Sequence, residues 1–357
     1  MLGRAKSFFS KTFDAIIPVF ATILVLFIGL FVLSALGKDP VAAYKALFDG
    51  AFGSQRAIIQ TIIKATPLLL VGIGICIAFR GGVTNIGGEG QIIVGALASA
   101  AVALYVPIES RAVMLPLCLI ASMLAGALWG GIPGFLKARM GVNEILTTVM
   151  MNSIAVYLSN FLLRGPMIDP KEIEMGTRAA QTALMPETTW LTRLAPPTQL
   201  NTGTILAVVL AFVAFVLLWQ TTIGYRIRAV GYNPDASRYA GIKVPVYQVL
   251  ALVLSGAYAG LAGGIEVFGV QHRVLENISA SYGFNGIVTA LFGNLHPIGT
   301  IPAAFLFGGL MVGGNKMQRT VQVHSAFIDT MLGLIVLFVV GAKIISVSRS
   351  KRRARNG

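Results

Sequence analysis

Long apolar segments alternate with short polar connections along almost the whole chain. Most of these segments approach or exceed the length of about 20 residues that an α-helix needs to cross the hydrocarbon core of a bilayer. Ten such spans are predicted, at 16–36, 57–79, 91–106, 112–136, 144–163, 203–219, 247–265, 283–295, 297–312 and 326–345. The pattern therefore predicts an all-α polytopic membrane protein with about ten transmembrane helices.

The composition agrees with a membrane protein and excludes several other classes. Of the 357 residues, 55% are hydrophobic and only 12% are charged, whereas a soluble domain carries about 25% charged residues. The two cysteines, Cys76 and Cys118, lie in separate apolar runs, so neither a disulfide framework nor a metal-ligand spacing is predicted. The net charge of +14 is interpreted as a topology signal, and no nucleic-acid partner is expected.

The charged residues are distributed unevenly between the two sides of the predicted topology. With both termini in the cytoplasm, 16 basic and 4 acidic residues are assigned to the inner side, and the other 12 basic and 10 acidic residues are assigned to the outer side. Basic residues are enriched in the inner loops of membrane proteins, so this orientation is favoured. The basic tail at 346–357 is then expected to contact anionic lipid headgroups.

The predicted spans divide into two halves of five, separated by the longest polar segment. We expect a single transmembrane domain over residues 1–357, made of an N-terminal half at about 1–163, an external loop at about 164–202, a C-terminal half at about 203–345 and the tail. Each half contains one glycine-interrupted segment, at 81–90 and at 283–293. Paired interruptions of this kind point to a solute site near the middle of the membrane. The sequence thus predicts two inverted repeats with broken helices around a central pathway.

The stretch FRGGVTNIGGEGQIIVGA at residues 79–96 is the centre of this prediction. It holds five glycines within ten residues, between two apolar runs. Glycine lets the backbone leave the helix, and within a bilayer such backbone is tolerated only against protein or a water-filled cavity. A tight cytoplasmic loop between two helices would suit the same composition. A broken helix that lines a polar pathway is favoured, because apolar residues leave little room for a solvated loop.

The candidate pathway residues are neutral hydrogen-bonding groups, aromatic rings and two acids. Asn143 and Glu144 have two interpretations that stay open, as the capped start of a helix or as part of the pathway or its gate. Glu89 is expected to accept a hydrogen bond from a hydroxyl or an amine of the solute, or to pair with Arg80. The full set is Phe79, Asn85, Glu89, Gln91, Asn143, Glu144, Asn152, Phe284, Asn285 and Asn294. No cluster of intramembrane cations suggests an anionic solute, so an uncharged, polar, ring-bearing solute is expected.

A second element of interest is the basic segment at 221–245. Asn233-Pro234-Asp235 is a helix-start signal, and a short helix over 236–242 is predicted on the cytoplasmic side. Such a helix between two spans suits insertion into the groove of a partner, although ordinary positive-inside charge is the alternative. The candidate docking residues are Gly224, Arg228, Gly231, Asn233, Pro234, Arg238 and Gly241.

Four motifs carry a resemblance to a known family. The segment TTIGYRIRAVGYNPDASRYAGI resembles the coupling segment of permease subunits of bacterial ABC importers, in the group that includes ribose, nucleoside and branched-chain amino acid permeases. FRGGVTNIGGEGQ, GVNEILTTVMMN and GFNGIVTALFGNLHPIGT resemble the nucleoside and simple-sugar branch in particular. The resemblance covers about 57–345. It implies ten helices per permease and a multi-pass location in the bacterial inner membrane.

The resemblance also implies partners. A periplasmic or lipoprotein solute-binding protein would deliver the solute, two cytoplasmic ABC ATPases would drive transport, and a second permease would complete the membrane part, often as a heterodimer. The sequence contains no G-x-x-x-x-G-K-[ST] motif, so this chain is not expected to be an enzyme that hydrolyses ATP by that route. ATP and Mg²⁺ are expected at the partner ATPase, and no cofactor or metal is expected on this chain.

The cargo and the class of transporter have alternatives. A nucleoside is the favoured solute, and a simple sugar or a branched-chain amino acid is the alternative for the same machine. A secondary transporter that uses Glu89 as a proton carrier is a rival of another class, and a channel or a membrane scaffold is a further one. These rivals do not account for the segment at 221–245.

Overall fold

The structure is a computed structural model that describes residues 23–323 and, beyond them, residues 327, 330–331, 333–334 and 337–338. Among the described residues the chain is helical, and its only extended pairings are two isolated bridges. Seven described helices are long and apolar enough to cross a membrane, so the predicted all-α membrane class is confirmed. Most of the predicted last span and part of the first lie outside the described residues, and the predicted span at 283–295 is an 11-residue helix.

The helices follow one another with short connections. Their bounds are α1 from Ile23 to Ala35 within the described residues, α2 Pro40–Ala51, α3 Gln55–Arg80, α4 Gly88–Tyr105, α5 Arg111–Met140, α6 Glu144–Arg164, α7 Pro170–Glu174, α8 Thr202–Gln220, α9 Thr222–Tyr232, α10 Pro234–Tyr239, α11 Val244–Glu266, α12 Tyr282–Phe292 and α13 Pro297–Val321. A π-helical turn, Val267–Gln271, continues α11, and a 3₁₀ turn, Glu187–Thr189, precedes α8.

Capping residues in the sequence explain where several helices begin. The side chain of Asn143 accepts a hydrogen bond from the amide of Ile145 at 2.9 Å and starts α6. Asn201 does the same for α8 through the amide of Gly203 at 2.9 Å. A side-chain oxygen at this position satisfies one of the free amides of the first turn. At the other end of α5, Gly141 adopts a φ of +69°, a left-handed conformation that ends a helix and favours glycine.

Residues 62–308 form one compact unit. At its centre, α5 and α11 approach so closely that only glycine fits between them. A Cβ atom placed on Gly126 would lie 2.2 Å from the carbonyl oxygen of Gly256, and one placed on Gly260 would lie 2.3 Å from that of Ser122. Helix α4 joins them, since a Cβ on Gly95 would lie 2.4 Å from the carbonyl oxygen of Gly260. The glycine spacings in α5 and α11 therefore serve close helix packing.

Replacing Gly256 by valine is expected to destabilise the protein by about 3 kcal/mol, because the new side chain would meet the backbone of α5, which cannot rotate away. The midpoint of thermal unfolding in detergent should fall by several degrees. The matched control is Gly131→Ala on α5, whose Cβ would meet a methyl group of Val253 at 3.2 Å. Equal unfolding midpoints for Gly256→Val and the wild type would contradict this packing.

The polar segment before α8 is ordered along the connection that follows α11. Its backbone amides donate to that connection: Thr182 to the carbonyl of Val274 at 3.0 Å, and Met185 to the carbonyl of His272 at 2.8 Å. The ring of Trp190 stacks on that of His272 with centroids 3.9 Å apart. Burial and the positive charge of Arg193 lower the pKa of His272, so the stacked imidazole is neutral near pH 7.

The described residues outside 62–308 belong to a second compact unit. Within its described part, a hydrophobic cluster contains Leu33, Ala43, Ala46, Leu47, Met317 and Val323. Tyr44 packs against this cluster and donates its hydroxyl to the carbonyl of Leu26 at 2.6 Å. Helix α2, which lies between the predicted spans at 16–36 and 57–79, therefore has an apolar face that it buries.

Candidate solute pathway and coupling surface

The chain leaves the helix within the glycine-rich stretch. Helix α3 ends at Arg80, α4 begins at Gly88, and the residues between them form turns and an irregular segment. We call residues 81–87 the break. Gly82 has a φ of +73°, and a Cβ on it would lie 2.9 Å from the Cα of Gly231. Glycine is therefore needed there both for its backbone conformation and for close approach of another segment.

Asn85 fixes the shape of the break from within. It is fully buried, and its amide nitrogen donates to the side chains of Gln91 at 3.0 Å and Ser255 at 2.7 Å. Its oxygen accepts from the backbone amide of Gly87 at 2.8 Å. A buried amide needs such partners, because an unpaired one would cost about 1–3 kcal/mol. The hydrogen bonds of Asn85 and Gln91 are thus directed at the protein and join the break to α11.

Asn152 on α6 holds the other side of the break. Its amide nitrogen donates to the carbonyl of Ile86 at 2.9 Å, and its oxygen accepts from the amide of Gly90 at 2.9 Å. Both bonds satisfy backbone groups that the interrupted helix leaves free. Asn152 is therefore a positioning residue for the break, placed there by α6.

Glu89 connects the start of α4 to the start of α12. The carboxylate is buried, and one of its oxygens accepts from the backbone amides of Gly283 at 3.1 Å and Phe284 at 3.3 Å. These amides belong to the first turn of α12, where free N–H groups and the helix dipole favour a negative charge. The alternative in which Glu89 pairs with Arg80 is not observed, because the guanidinium of Arg80 binds at the other end of α12.

Arg80 and Glu89 hold α12 at opposite ends. The guanidinium of Arg80 donates to the carbonyls of Leu295 at 3.0 Å and Asn294 at 3.2 Å, just after the C-terminus of α12. A positive group suits the C-terminal end of a helix and a negative group its N-terminal end. The two charged residues that flank the break thus fix α12 against it, and the break and α12 are joined as one structural unit.

The remaining predicted pathway residues are placed differently. Phe79 and Asn285 are half-buried, Asn294 is exposed, and Phe284 keeps 49% of its surface exposed. Glu144 forms an ion pair with Lys137 at 2.6 Å, at the junction of α5 and α6. Since Asn143 caps α6, the capping interpretation accounts for its side chain. The structure therefore gathers Asn85, Glu89, Gln91 and Asn152 at the break and the start of α4. It places Asn143 and Glu144 at the start of α6 and leaves the side chains of Phe79, Phe284, Asn285 and Asn294 outside that group.

The segment at 221–245 contains two short helices where one was predicted. The predicted helix over 236–242 is wrong in its bounds, because α10 begins at Pro234 and ends at Tyr239. Asn233 caps α10 by accepting from the amides of Asp235 and Ala236, both at 3.0 Å. The residues before it form α9, which Thr221 caps through the amide of Gly224 at 3.1 Å.

The inner face of α9 touches the break through backbone atoms. A Cβ placed on Gly231 would lie 2.1 Å from the carbonyl oxygen of Arg80 and 2.8 Å from the amide nitrogen of Gly82. Gly224 makes a similar contact with the end of α8, where a Cβ would lie 1.9 Å from the carbonyl oxygen of Leu217. Displacement of α9 must therefore also displace Arg80 and Gly82, because no compressible side chain separates them.

The outer face of α9 and α10 presents aromatic and basic side chains. Tyr232 is 83% exposed and Tyr239 is 95% exposed, and Arg238 is exposed beside them. Gly241, with a φ of +79°, turns the chain after α10 towards α11. We call α9 and α10 together the coupling surface.

Trp219 at the end of α8 was not predicted as a functional residue. The guanidinium carbons of Arg80 and Arg228 lie 5.5 Å and 5.4 Å from the centroid of its ring, and the ring of His296 lies 4.6 Å from it. Burial and the positive charge of Arg80 lower the pKa of His296, which leaves it neutral near pH 7. Arginine over a tryptophan ring is stabilised by about 0.5–1 kcal/mol or more, so Trp219 ties the coupling surface to Arg80.

Comparison with known proteins places this arrangement in a family. The model of a family described as branched-chain amino acid transport system / permease component matches residues 57–340. The nucleoside ABC transporter permease protein NupB of Lactococcus lactis is 34% identical over 97% of this chain and 96% of its own length. The guanosine ABC transporter permease protein NupP of Bacillus subtilis is 34% identical over 95% of this chain and 97% of its own length. The glucose ABC transporter permease protein TsgB13 of Haloferax volcanii is 33% identical over 90% of this chain and 86% of its own length. No solved structure matches the chain.

Proposed function

The chain belongs to the family of branched-chain amino acid transport system permease components and is a permease subunit of an ABC transporter, and we propose that it imports a nucleoside. The single observation that carries the cargo is the 34% identity to a nucleoside permease over 97% of the chain. The chain is the membrane-spanning subunit and not the ATPase. ATP and Mg²⁺ are used by the partner subunit.

The chemistry of the pathway supports an uncharged cargo. The carboxylate of Glu89 is committed to the amides of α12, and the side chains of Asn85 and Gln91 bind each other. Groups whose hydrogen bonds are already made within the protein are not free to serve as the counter-charge of an ionic solute. Phe79, Phe284 and Asn285 are not fully buried and are proposed to contact the ring of the solute.

The coupling surface is the proposed docking site of the ATPase. The exposed rings of Tyr232 and Tyr239 have the size and amphipathic character of residues that dominate protein interfaces, and Arg238 adds charge between them. ATPase closure would push α9, and the contact of Gly231 with Arg80 and Gly82 would pass this motion to the break. Helix α12, held by Arg80 and Glu89, would move with it.

The wider architecture is part of the same proposal. The chain would cross the bacterial inner membrane ten times, in two inverted repeats, with both termini on the cytoplasmic side. The coupling surface would then lie on the cytoplasmic side, and the segment before α8 would lie on the outer side. A periplasmic or lipoprotein binding protein would dock on that outer side. A second permease, different from this chain, would face the apolar surfaces of α5 and α6, which are largely exposed in the single chain.

A simple sugar is the second candidate cargo. The permease protein of Haloferax volcanii, whose name assigns it glucose, is nearly as similar to this chain as the nucleoside permeases are. A nucleoside and a sugar share a polyhydroxyl ring, so one pathway lined by neutral polar groups suits either class. A nucleoside differs from a sugar by its nucleobase. In the proposed importer, the solute-binding protein supplies most of the affinity for the solute.

The cargo is tested by competition uptake in cells that lack this chain and in cells in which it is restored. We expect chain-dependent uptake of radiolabelled adenosine that excess guanosine blocks and that ribose, xylose and leucine leave unchanged. Uptake that needs the chain but is blocked by a monosaccharide would move the cargo to a sugar. Adenosine uptake that persists after mutation of the Walker lysine in the partner ATPase would contradict an ABC mechanism and favour a secondary transporter or a channel.

A further inference from the structure

A second group of charged and polar residues lies within the membrane-spanning helices, apart from the break. The ammonium group of Lys64 on α3 donates to the hydroxyl of Tyr282 at 2.6 Å and lies 5.3 Å from the centroid of its ring. Glu266, the last residue of α11, accepts from the side-chain amide of Gln271 at 3.3 Å. The positive charge of Lys64 acts on Glu266, and the negative charge of Glu266 acts on Tyr282. We call these four residues the Lys64 cluster.

The position of the cluster is unusual for residues that only stabilise a fold. Glu266 directly follows the predicted span at 247–265, yet it is buried, with only 3% of its surface exposed. Ionisable residues inside membrane spans are costly, and they are usually retained for a function. Helix α11 also changes to a π-helical turn directly after Glu266, and such turns are frequent at functional sites.

The cluster also lies beside the proposed pathway. Tyr282 begins α12, and the next two residues, Gly283 and Phe284, donate the amides that hold Glu89. The C-terminal end of α11, with its π-helical turn, and the N-terminal end of α12 therefore both lie at the cluster. Ends of discontinuous helices are the usual positions of solute sites in membrane transporters.

Burial divides the cluster into two pairs with different roles. Tyr282 and Glu266 are buried, whereas Lys64 and Gln271 are half-buried. An ammonium group has three donors, and one of those of Lys64 is directed at Tyr282. Tyr282 and Glu266 thus orient and balance two side chains that keep hydrogen-bonding capacity at a partly open surface.

We propose that Lys64 and Gln271 bind the hydroxyl groups of the cargo's sugar ring, with Tyr282 and Glu266 as positioning residues. The proposal rests on the proposed function, since it supplies the pathway of that importer with a specificity site. The positive charge of Lys64 offsets the negative charge of Glu266 across the cluster, which suits a neutral solute. Hydroxyl groups match it because they accept from the Lys64 donors and bond to either end of the Gln271 amide.

The test measures discrimination between cargo analogues by the complete importer in liposomes, with its ATPase and with saturating binding protein. Maximal uptake rates are compared for adenosine and for its 2′-, 3′- and 5′-deoxy analogues. Lys64→Met should reduce the preference for adenosine over at least one deoxy analogue by roughly tenfold, the value of a hydrogen bond to a charged group. Gln271→Met should reduce such a preference too, and Lys64→Arg should retain part of it.

The controls separate binding from stability. Lys45→Met changes an exposed lysine of α2 and should leave the preference unchanged. A purely structural cluster would lower the rates of all analogues by the same factor in Lys64→Met, and that result would overturn the proposal. So would a wild-type importer that transports adenosine and its deoxy analogues at equal rates. Gln271→Met leaves Lys64 and Glu266 in place, so it keeps the test valid if Lys64→Met does not fold.

Failure of the proposed cargo is a distinguishable result. If the wild-type importer takes up no nucleoside, the same variants are tested with glucose and its deoxy analogues. Lost discrimination among those sugars would support the Lys64 cluster as a hydroxyl site even though the nucleoside cargo was wrong. Unchanged discrimination would overturn the cluster's role for either cargo.

Discussion

Transport is expected to be abolished when Glu89 is replaced by leucine, although the chain should still assemble with its partners. Leucine fills much of the space but leaves the amides of Gly283 and Phe284 without their acceptor. Each unpaired buried amide costs about 1–3 kcal/mol, which is enough to release the start of α12 from α4. Uptake into liposomes by the complete importer measures the effect, and co-purification with the ATPase measures assembly.

Graded substitutions make this expectation specific. Glu89→Gln keeps one carbonyl oxygen as an acceptor but loses the negative charge at the start of α12, so uptake should fall severalfold rather than disappear. The matched control is Glu109→Leu, which removes an exposed acid from the connection between α4 and α5. Normal transport by Glu89→Leu would show that the interpretation of the glycine-rich stretch as part of the pathway is wrong.

The same variants address the rival in which Glu89 carries protons. A proton carrier must release its hydrogen-bond partners at some stage, whereas the observed carboxylate is bound to two backbone amides that have no other acceptor. Residual uptake by Glu89→Gln should therefore still depend on ATP. Uptake driven by a pH gradient in the wild type, and absent from Glu89→Gln, would favour the secondary transporter.

The sequence predicts the break well because its signal is local. Five glycines close together between apolar runs are incompatible with an ordinary span, and the structure interrupts the helix there. The partners of the break are not local. Asn85 binds Ser255, which is 170 residues away, and Glu89 binds the amides of α12. A composition pattern identifies polar residues near a pathway but does not show which of them are already satisfied by the protein.

The sequence does not determine the roles of some glycines and acids, because the same residue type serves different purposes in different tertiary surroundings. Gly224 and Gly231 are predicted as docking residues, and the structure places both within α9, where the helix approaches other backbone closely. Glu266 directly follows the predicted span at 247–265. It is buried, with Lys64 supplying the opposite charge from another helix. Tertiary partners decide both cases, and a single sequence does not contain them.

Replacing Gly231 by alanine is expected to uncouple ATP hydrolysis from transport. Its Cβ would lie 2.1 Å from the carbonyl oxygen of Arg80, a contact with backbone that no side-chain rotation relieves. Helix α9 must then move away from the break, so that motion of the coupling surface no longer reaches Arg80, Gly82 and α12. The reconstituted importer should retain basal ATPase activity, while uptake falls by at least about tenfold, corresponding to about 1.4 kcal/mol in the coupled step.

Two measurements distinguish uncoupling from a folding defect. Co-purification of the ATPase with the variant should match the wild type, because the exposed rings of Tyr232 and Tyr239 are unchanged. Stimulation of ATP hydrolysis by loaded binding protein should be lost, since that signal has to cross the same contact in the opposite direction. Gly131→Ala serves as the matched control, and Gly231→Pro should give a stronger defect because proline also removes a helical hydrogen bond. Wild-type uptake by Gly231→Ala would show that the contact between α9 and the break does not carry the motion. Coupling would then have to pass through the ring of Trp219, which contacts both Arg80 and Arg228.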